Sequence, residues 1–518
     1  MARFKSCDNS QGLFLTVNLS EQLLPGTFEW ALNYLIDRMD MSLFEKDYHN
    51  DETGATAYSP RALLKVIIYC YSMGIISSRR IEKTCKTNIT VKALSGDNEP
   101  DHSLIADFVS KNSEAVTDLF TQVLLQCSTL DLITGEMYSL DGCKLPSNAS
   151  KEWSGTIEDL TEKKERLKKH IQRILERHKE LDKDEEGKKI QEPFRKTMGD
   201  DQKRRERSIE RMEKKLKKLD DFLGTAKERI GTSGEEVQSN ITDEESAKIK
   251  GPHGYIQGYN GISIADSGNQ IIVSAETTGS SESGIFIEML EKLEKNMQKV
   301  TGEEKPLEKS IVTGDSGFFS EKNLQGAKEM GIQVLIPDPQ FRQRDPDFEE
   351  RKNEKEKKRY TIEDFTYDEE NNNYKCPGGK ILKHIKKMKL GNNWGEKYQA
   401  AWRDCGGCAL KGKCIKSKKE GEEKKKRRYG RTIYIVERNY EENLSEQMRE
   451  KIDNPAYREL YSRRQQIIEP TYSHITYSKG MNRFTLRGTK KVNIQWKLYC
   501  IVHNIWKCMG PMTERYGG

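Results

Sequence analysis

The feature that most constrains the fold of this chain is a polar segment at residues 156–230, in which Lys, Glu, Arg and Leu predominate. Its apolar residues recur at spacings of three, four and seven, from Leu160 to Ile174 and again from Ile209 to Leu223, which predicts two amphipathic helices. The break between them is expected at three residues: Gly187, Pro193 and Gly199. We interpret the pair as an antiparallel helical hairpin, a structural arm inserted into another domain.

Length and charge give a second constraint. A chain of 518 residues with 34% hydrophobic and 33% charged residues exceeds one compact core and must expose much polar surface. The net charge is only +6, but residues 375–431 contain 19 Lys or Arg against 5 Asp or Glu. This imbalance favours a polyanionic partner such as nucleic acid, although a solvated loop remains an alternative for the run at residues 424–428.

The expected compartment is the cytoplasm. The first ten residues lack the apolar core of a signal peptide, and the longest apolar stretch, which begins at Val66, is too short to span a bilayer, so no membrane partner is expected. Eleven unevenly spaced cysteines, four of them in one short region, indicate metal binding rather than a disulfide framework.

Helical signals predominate in residues 20–130. Ser59 and Pro60 predict a cap and a first-turn proline before an apolar helix, and a second helix is expected from Ser78. Residues 100–127 predict a further amphipathic helix or pair. The result is a helical domain with a basic edge, compatible with a helix-turn-helix but without a motif that specifies one.

Strand signals follow. MYSLDGCKL predicts a strand that ends in a turn at Asp141 and Gly142, and two further strands are expected on either side of a turn at residues 266–269. KSIVTGDSGFFS predicts a buried strand that ends at Asp315, followed by a helix and the strand IQVLIP. This order is typical of an α/β fold with a mixed sheet, followed by long helical sequence at residues 441–478.

Asp141, Asp315 and Glu469 form the first candidate site. Two aspartates at strand ends and a glutamate on a late helix can converge, and such carboxylates bind two divalent cations for phosphodiester chemistry. The alternative is that both aspartates are ordinary turn residues. We exclude Asp266 from this site, because the turn DSGN accounts for it.

Four cysteines form the second candidate site: Cys376, Cys405, Cys408 and Cys414. Thiolates with a central CxxC suit tetrahedral Zn²⁺, and the CPGG turn can support the first of them. Unliganded thiols in a flexible insertion are the alternative. His503 and the aromatic segment at residues 496–508 are interpreted as packing groups, and His474 as only loosely placed near Glu469.

Four passages taken together carry a family resemblance. They are LDGCKLPSNAS (140–150), GYNGISIAD (258–266), VTGDSGFFS (312–320) and IEPTYSHITYSKGMNRFTLRGTKKV (468–492). In this order they resemble the blocks of bacterial insertion-sequence DDE transposases. Tyr461, Arg464 and Glu469 are similar to the family's Tyr-Arg-Glu signature on the helix that supplies the third carboxylate.

The resemblance implies an RNase H-like fold, with Asp141 on the first strand, Asp315 on the fourth and Glu469 on a helix behind the sheet. It implies a Mg²⁺ or Mn²⁺ two-ion site that cleaves DNA and transfers strands. Asp141 and Asp315 would share one ion, and Glu469 would bind the second. The expected partners are double-stranded DNA, as terminal inverted repeats and target, and further copies of the chain, in the nucleoid. The family's DNA contacts correspond to four residues here: Tyr461, Arg464, Lys479 and Arg487.

Two departures from the family pattern keep rival functions open. Thr476 stands where the family usually has a basic residue, and GDSGFF replaces the usual DKGY beside Asp315. The alternatives are therefore a catalytically inactive, transposase-derived DNA-binding protein and a nuclease that nicks without joining.

The expected organisation has six parts. They are a helical DNA-binding region (1–135), the first part of the RNase H-like core (136–155), the hairpin (156–235), the continued core (236–340), a basic, four-cysteine zinc-binding insertion (341–431) and the C-terminal helices of the core (432–518).

Overall fold

The fold is described from a computed structural model. It describes residues 17–46, 48, 56–185, 192–226, 228–230, 236–251, 254–280, 282–345, 360–390, 393–415, 429–436 and 443–517. The chain divides into two compact units. The first comprises residues 1–318, 326–335 and 460–518, and the second comprises residues 319–325 and 336–459.

The first unit begins with a set of helices, as expected. They are α1 (Phe28–Arg38), α2 (Ser42–Glu45), α3 (Pro60–Ser72), α4 (Ser78–Thr87), α5 (Ile89–Ser95), α6 (His102–Lys111) and α7 (Ser113–Thr129). As predicted, Ser59 is the N-cap residue of α3 and Pro60 lies in its first turn, although the helix N–H of Leu63 bonds to the Ser59 carbonyl and the Ser59 hydroxyl makes no capping hydrogen bond within the described residues. Asp101 caps α6 through Ser103 N and Leu104 N.

A mixed sheet follows the helices, which confirms the α/β class. Its strands are β1 (Met137–Pro146), β4 (Ala247–Gly251), β5 (Gly254–Asp266), β6 (Ile272–Thr278), β7 (Ile311–Gly314) and β8 (Gln333–Leu335); a separate small pair is formed by β2 (Ser154–Gly155) and β3 (Ser239–Asn240). β5 pairs antiparallel with β4, β1 and β6, whereas β7 runs parallel to β1 and β8. The two aspartate-bearing chain segments are therefore neighbours.

The predicted turn at Asp141 and Gly142 is wrong. β1 continues through both residues to Pro146, because β5 is long enough to pair with it as far as Gly258. Pairing with β7, by contrast, stops at Leu140 and Gly314. Asp141 therefore lies within a strand, at the point where one of its two neighbouring strands ends.

The predicted helical hairpin is present as α8 (Ile157–Glu185) and α9 (Glu192–Thr225). Buried Leu160, Leu219 and Phe222 form its core, against which Trp153 and Ile241 pack. Gly187 lies outside the described residues, and Pro193 lies in the first turn of α9. The predicted break at Gly199 is wrong, because α9 continues through it.

Later helices cover the sheet. They are α10 (Phe286–Thr301), α17 (Arg464–Ser473) and α18 (Thr489–Tyr516), whereas α11 (Glu321–Glu329) is divided between the two units. α18 is a core helix, as expected: Trp496 is fully buried, and its Nε1 donates to Ile262 O at 3.0 Å. A side chain at Gly261 would lie 2.8 Å from the Trp496 ring, so only glycine permits this packing.

The second unit contains helices and a five-stranded antiparallel sheet. The helices are α12 (Phe341–Arg344), α13 (Trp402–Gly406), α14 (Lys411–Cys414), α15 (Leu444–Asp453) and the greater part of α16 (Pro455–Ser462). The strands, in sheet order, are β13 (Tyr429–Val436), β12 (Asn393–Ala401), β11 (Ile381–Leu390), β10 (Asn373–Lys375) and β9 (Thr366–Asp368). Buried Phe365, Leu382, Tyr398 and Ile433 form a small core on one face of this sheet.

Among the described residues, no helix combines the length and apolar character needed to cross a bilayer.

Candidate active site and cysteine cluster

The sheet register brings the two aspartates together. Leu140 pairs with Gly314 across the parallel strands β1 and β7, and Asp141 and Asp315 directly follow these two residues in the chain. Asp315 begins a tight turn, in which its Oδ1 accepts from Gly317 N at 2.9 Å. A side chain at Gly317 would lie 3.0 Å from that oxygen, so glycine leaves the space beside the carboxylate open.

Helix α17, which carries Glu469, packs on strands β1 and β5 of the same sheet. Ile467 and Ile468 pack against Met137 of β1 and Ala265 of β5, which fixes the helix on the sheet. The interior Pro470 lacks the N–H that would bond to Gln466 O, and this carbonyl instead accepts from Gln270 Nε2 at 3.0 Å.

Tyr472 anchors α17 directly to the aspartate strand. Its hydroxyl donates a short hydrogen bond to the backbone carbonyl of Asp141 and accepts from Ser263 Oγ at 3.0 Å. Ser263 is the β5 residue that pairs with Asp141. One side chain thus links the glutamate helix to both strands at the site.

The Asp141 carboxylate is held by a buried cation. Arg464 Nη2 lies 2.7 Å from Asp141 Oδ2, with 10% of the arginine and 23% of the aspartate side chain exposed. Burial raises the pKa of Asp141, Arg464 and the Gly142 N–H oppose that increase, and Asp315 and Glu469 add to it. Both predicted partners are therefore close enough to influence the Asp141 charge.

The structure places a fourth carboxylate, Glu282, beside this cluster. Its Oε1 lies 3.8 Å from Lys144 Nζ and accepts a short hydrogen bond from Asn260 Nδ2. Burial raises the pKa of Glu282, Lys144 lowers it, and Asp315 and Asp141 raise it. The sequence gives no signal for Glu282, which is one of 82 acidic residues and lies in a Ser/Gly-rich turn.

The predicted DNA contacts occupy different environments. Tyr461 is half-buried near the end of α16. Lys479 Nζ lies 3.3 Å from the centre of the Trp506 ring, and Arg487 Nε donates to Asn148 O at 2.9 Å. Of the four residues, Arg464 is the one with an ion pair to the carboxylate cluster in the described part of the chain.

Two other residues have structural roles. Thr476 lies in a π-helical turn (His474–Ser478), where its hydroxyl donates to Tyr472 O at 2.8 Å. Asp266 is fully buried and accepts from Thr134 N, Gly135 N and Gly268 N, which confirms its exclusion from the site.

The two histidines pack together. His503 Nε2 lies 2.9 Å from Gln270 O, and its Nδ1 lies 2.9 Å from His474 Nδ1. Since the carbonyl can only accept, His503 carries its proton on Nε2, and His474 Nδ1 donates to the other ring. Burial lowers the pKa of His474 to about 4 and that of His503 to about 3, so both are neutral at pH 7.

In the second unit, the four predicted cysteines converge on a small cavity of about 20 Å³. Lys380 N donates to Cys376 Sγ at 3.3 Å and Arg431 N to Cys405 Sγ at 3.4 Å. Burial raises the pKa of the Cys414 thiol, Arg431 lowers it, and the other three cysteines raise it. The cluster lies at the edge of the small core formed with Leu382 and Ile433.

Within the described ranges, no three His, Cys, Asp or Glu side chains are already arranged as a metal-binding set. The donors nevertheless suit the two expected metals. The carboxylates supply hard oxygen ligands beside the buried Asn260 Oδ1, which has no hydrogen-bond partner among the residues that the structure describes. The cysteines supply four sulfurs around one cavity.

Comparison with known families gives two matches. Residues 375–509 match a family described as a transposase DDE domain, and residues 17–111 match a transposase domain of the type DUF772. The first match includes the four cysteines and Glu469, whereas Asp141 and Asp315 precede it. No curated protein matches the chain.

Proposed function

Since the chain belongs to the insertion-sequence DDE transposases, we propose that it cuts DNA at the ends of its element and joins them to target DNA. The observation that carries this proposal is the adjacency of Asp141 and Asp315 where the parallel pairing of β1 and β7 ends, with Glu469 near enough to raise the pKa of Asp141. These residues are the proposed catalytic carboxylates. The strand order β6-β5-β1-β7-β8, with β7 parallel to β1 and Asp315 directly after β7, supports an RNase H-like core.

The carboxylates are the proposed ligands of two Mg²⁺ or Mn²⁺ ions, with Asp141 and Asp315 sharing one and Glu469 binding the other. When bound, such ions activate the attacking oxygen and stabilise the leaving oxygen. The protein contributes orientation: Arg464 holds one oxygen of Asp141, and Tyr472 holds the Asp141 backbone. Arg464 is therefore proposed as a positioning residue as well as a neighbour of the scissile phosphate.

DNA binding is proposed for the first unit outside the carboxylates. An open groove of about 930 Å³ is lined by Arg79 and Arg80 of α4, by His102 and by Arg483. Its basic side chains suit the terminal inverted repeats, and Tyr461, Lys479 and Arg487 are proposed further contacts. Because two element ends must be joined, we also propose a dimer or larger assembly.

A cleavage assay tests the catalytic proposal. Asp141→Asn, Asp315→Asn and Glu469→Gln preserve side-chain shape and should each reduce metal-dependent cleavage of the element's own ends by at least about 100-fold. Glu291→Gln, an exposed position on α10, is the matched control and should retain activity.

The outcomes separate three functions. Cleavage and joining support the transposase, and nicking without joining indicates a nuclease. A folded wild type that binds the ends but does not cut with Mg²⁺ or Mn²⁺ overturns the enzyme proposal. It would instead indicate the inactive DNA-binding protein, which Thr476 favours because its hydroxyl bonds within its own helix and supplies no positive charge.

For the second unit we propose a structural Zn²⁺ bound by Cys376, Cys405, Cys408 and Cys414. The convergent sulfurs and the two N–H···S hydrogen bonds support it. Metal analysis should find about one Zn²⁺ per chain in wild type and in Cys85→Ser, and much less in Cys405→Ser. Less than about half an equivalent in wild type would reject the site.

A further inference from the structure

The five-stranded sheet of the second unit has a second face, opposite its core. Leu382, Tyr398 and Ile433 point into the core, and side chains alternate along each strand. The register therefore assigns Lys383, Lys397 and their cross-strand partners to the opposite face. We name this the outer face.

Four lysines form a diagonal stripe across the outer face. Lys386 of β11 lies opposite Lys397 of β12. Lys383 lies three residues before Lys386 on β11, on the other side of a β-bulge. Lys375 lies on the next strand, β10, where it pairs with Ile381 of β11. With strands about 4.8 Å apart and about 3.3 Å per residue, the stripe is about 16 Å long. Lys375, Lys383 and Lys386 are exposed, and Lys397 is partly exposed.

The stripe lacks compensating charge. In the part of the chain that the structure describes, none of these four lysines is in a salt bridge, and the one acidic residue that the register assigns to this face is Asp368, on the edge strand. Glu396 lies on the other face, where it pairs with His384. Like charges directly opposite each other, such as Lys386 and Lys397, destabilise a sheet unless an external anion neutralises them.

We propose that the lysine stripe binds the sugar-phosphate backbone of duplex DNA, without sequence preference. This inference rests on the proposed function, because it names a DNA-contacting surface of the same protein. Duplex DNA is the partner that the charges favour, since it presents one negative charge per about 1.7 Å and thus about nine charges along the stripe. Lysines serve here as point charges for phosphates and do not read bases.

Adjacent residues on β11 supply a matched control. Lys387 and Lys389 alternate with the stripe and, by register with Glu396 and Trp394, lie on the other face. The double variants Lys383→Gln/Lys386→Gln and Lys387→Gln/Lys389→Gln each remove two charges from one strand. Binding of the full-length protein to a 30-base-pair random duplex is measured by fluorescence anisotropy, in EDTA, over a series of salt concentrations.

The stripe variant should weaken binding at 0.1 M salt by up to about 60-fold, or about 8-fold per phosphate contact. Its slope of log affinity against log salt should be shallower by about 1.8. The control variant should change both quantities much less. Circular dichroism of both variants checks that the sheet is intact.

Equal effects of the two double variants on duplex binding would overturn the proposal. It would also be overturned if polyglutamate competed as effectively as duplex DNA at matched charge, because that result would indicate an acidic protein partner. The assay contains no divalent metal, so its result does not depend on the carboxylates. Glu291→Gln should bind the duplex normally, and the stripe variant should still cut a saturating concentration of end DNA at low salt. Failure of the stripe and failure of the catalytic proposal are thereby distinguishable.

Discussion

Removing one hydroxyl group, in Tyr472→Phe, tests how the glutamate helix is held on the sheet. Tyr472 is half-buried, and its hydroxyl bonds to both Asp141 O and Oγ of the fully buried Ser263. Its loss leaves buried polar groups without this partner, which costs about 1–3 kcal/mol. For a unit this large, the apparent melting temperature should fall by about 1–2 °C per kcal/mol.

Tyr138→Phe is the matched control in the same sheet. Tyr138 is fully buried on β1, but its hydroxyl has no hydrogen-bond partner in the described part of the protein. Removal of an unsatisfied buried hydroxyl should leave the melting temperature unchanged or raise it slightly.

A double variant sharpens the test. Tyr472→Phe leaves the Ser263 hydroxyl without its acceptor, and Ser263→Ala removes that hydroxyl. The destabilisation of the double variant should therefore be smaller than the sum of the two single destabilisations by about 0.5–1.5 kcal/mol. Cleavage by Tyr472→Phe should fall more than that by Tyr138→Phe, because Glu469 lies on the released helix. Equal melting temperatures for the two Tyr→Phe variants, measured by scanning fluorimetry, would refute this account of the anchor.

Three further predictions concern the same unit. Burial lowers the pKa of His503, so the imidazole is protonated in the unfolded chain at a higher pH than in the folded protein, and the free energy of unfolding should decrease as the pH falls below about 6.5. Between pH 7 and pH 5, the melting temperature of His503→Gln should decrease less than that of wild type. Gly261→Ala should destabilise the protein by about 1–3 kcal/mol, since its Cβ would meet the Trp496 ring at 2.8 Å, and an unchanged melting temperature would contradict the packing. Glu282→Gln should weaken Mn²⁺ binding measured by calorimetry, because it removes a negative charge beside Asp141 and Asp315, whereas unchanged affinity would exclude Glu282 from the metal environment.

Local periodicity explains what the sequence could predict. The helical hairpin, the strands around Asp266 and the core role of Trp496 all follow from spacings within single elements. The continuation of β1 past Asp141 could not be predicted, because the length of that strand is set by β5, more than 100 residues later. Turn-forming residues at Asp141 and Gly142 gave the wrong local signal there.

The candidate sites show the same division. The three carboxylates and four cysteines were predicted from residue type, spacing and resemblance. Asp315 and Glu469 lie near enough to raise the pKa of Asp141, and the four cysteines line one cavity, but among the described residues neither set is arranged as a metal-binding group. Glu282 and Tyr472 gave no signal, since their roles arise from tertiary contacts. The sheet of the second unit was not predicted either, because β11 carries lysines on both faces and this obscures the alternation of a strand.

The placement of α18 has a consequence for biosynthesis. Trp496 and its neighbours on α18 pack against α7 and β6 and complete the core of the first unit. About 340 residues separate the end of β1, the first strand of this unit, from the start of α18. At about 5–20 residues per second, a ribosome needs roughly 20–70 s to add them. During that interval the nascent first unit lacks its central packing element, so newly made protein should acquire its function only once translation has passed α18.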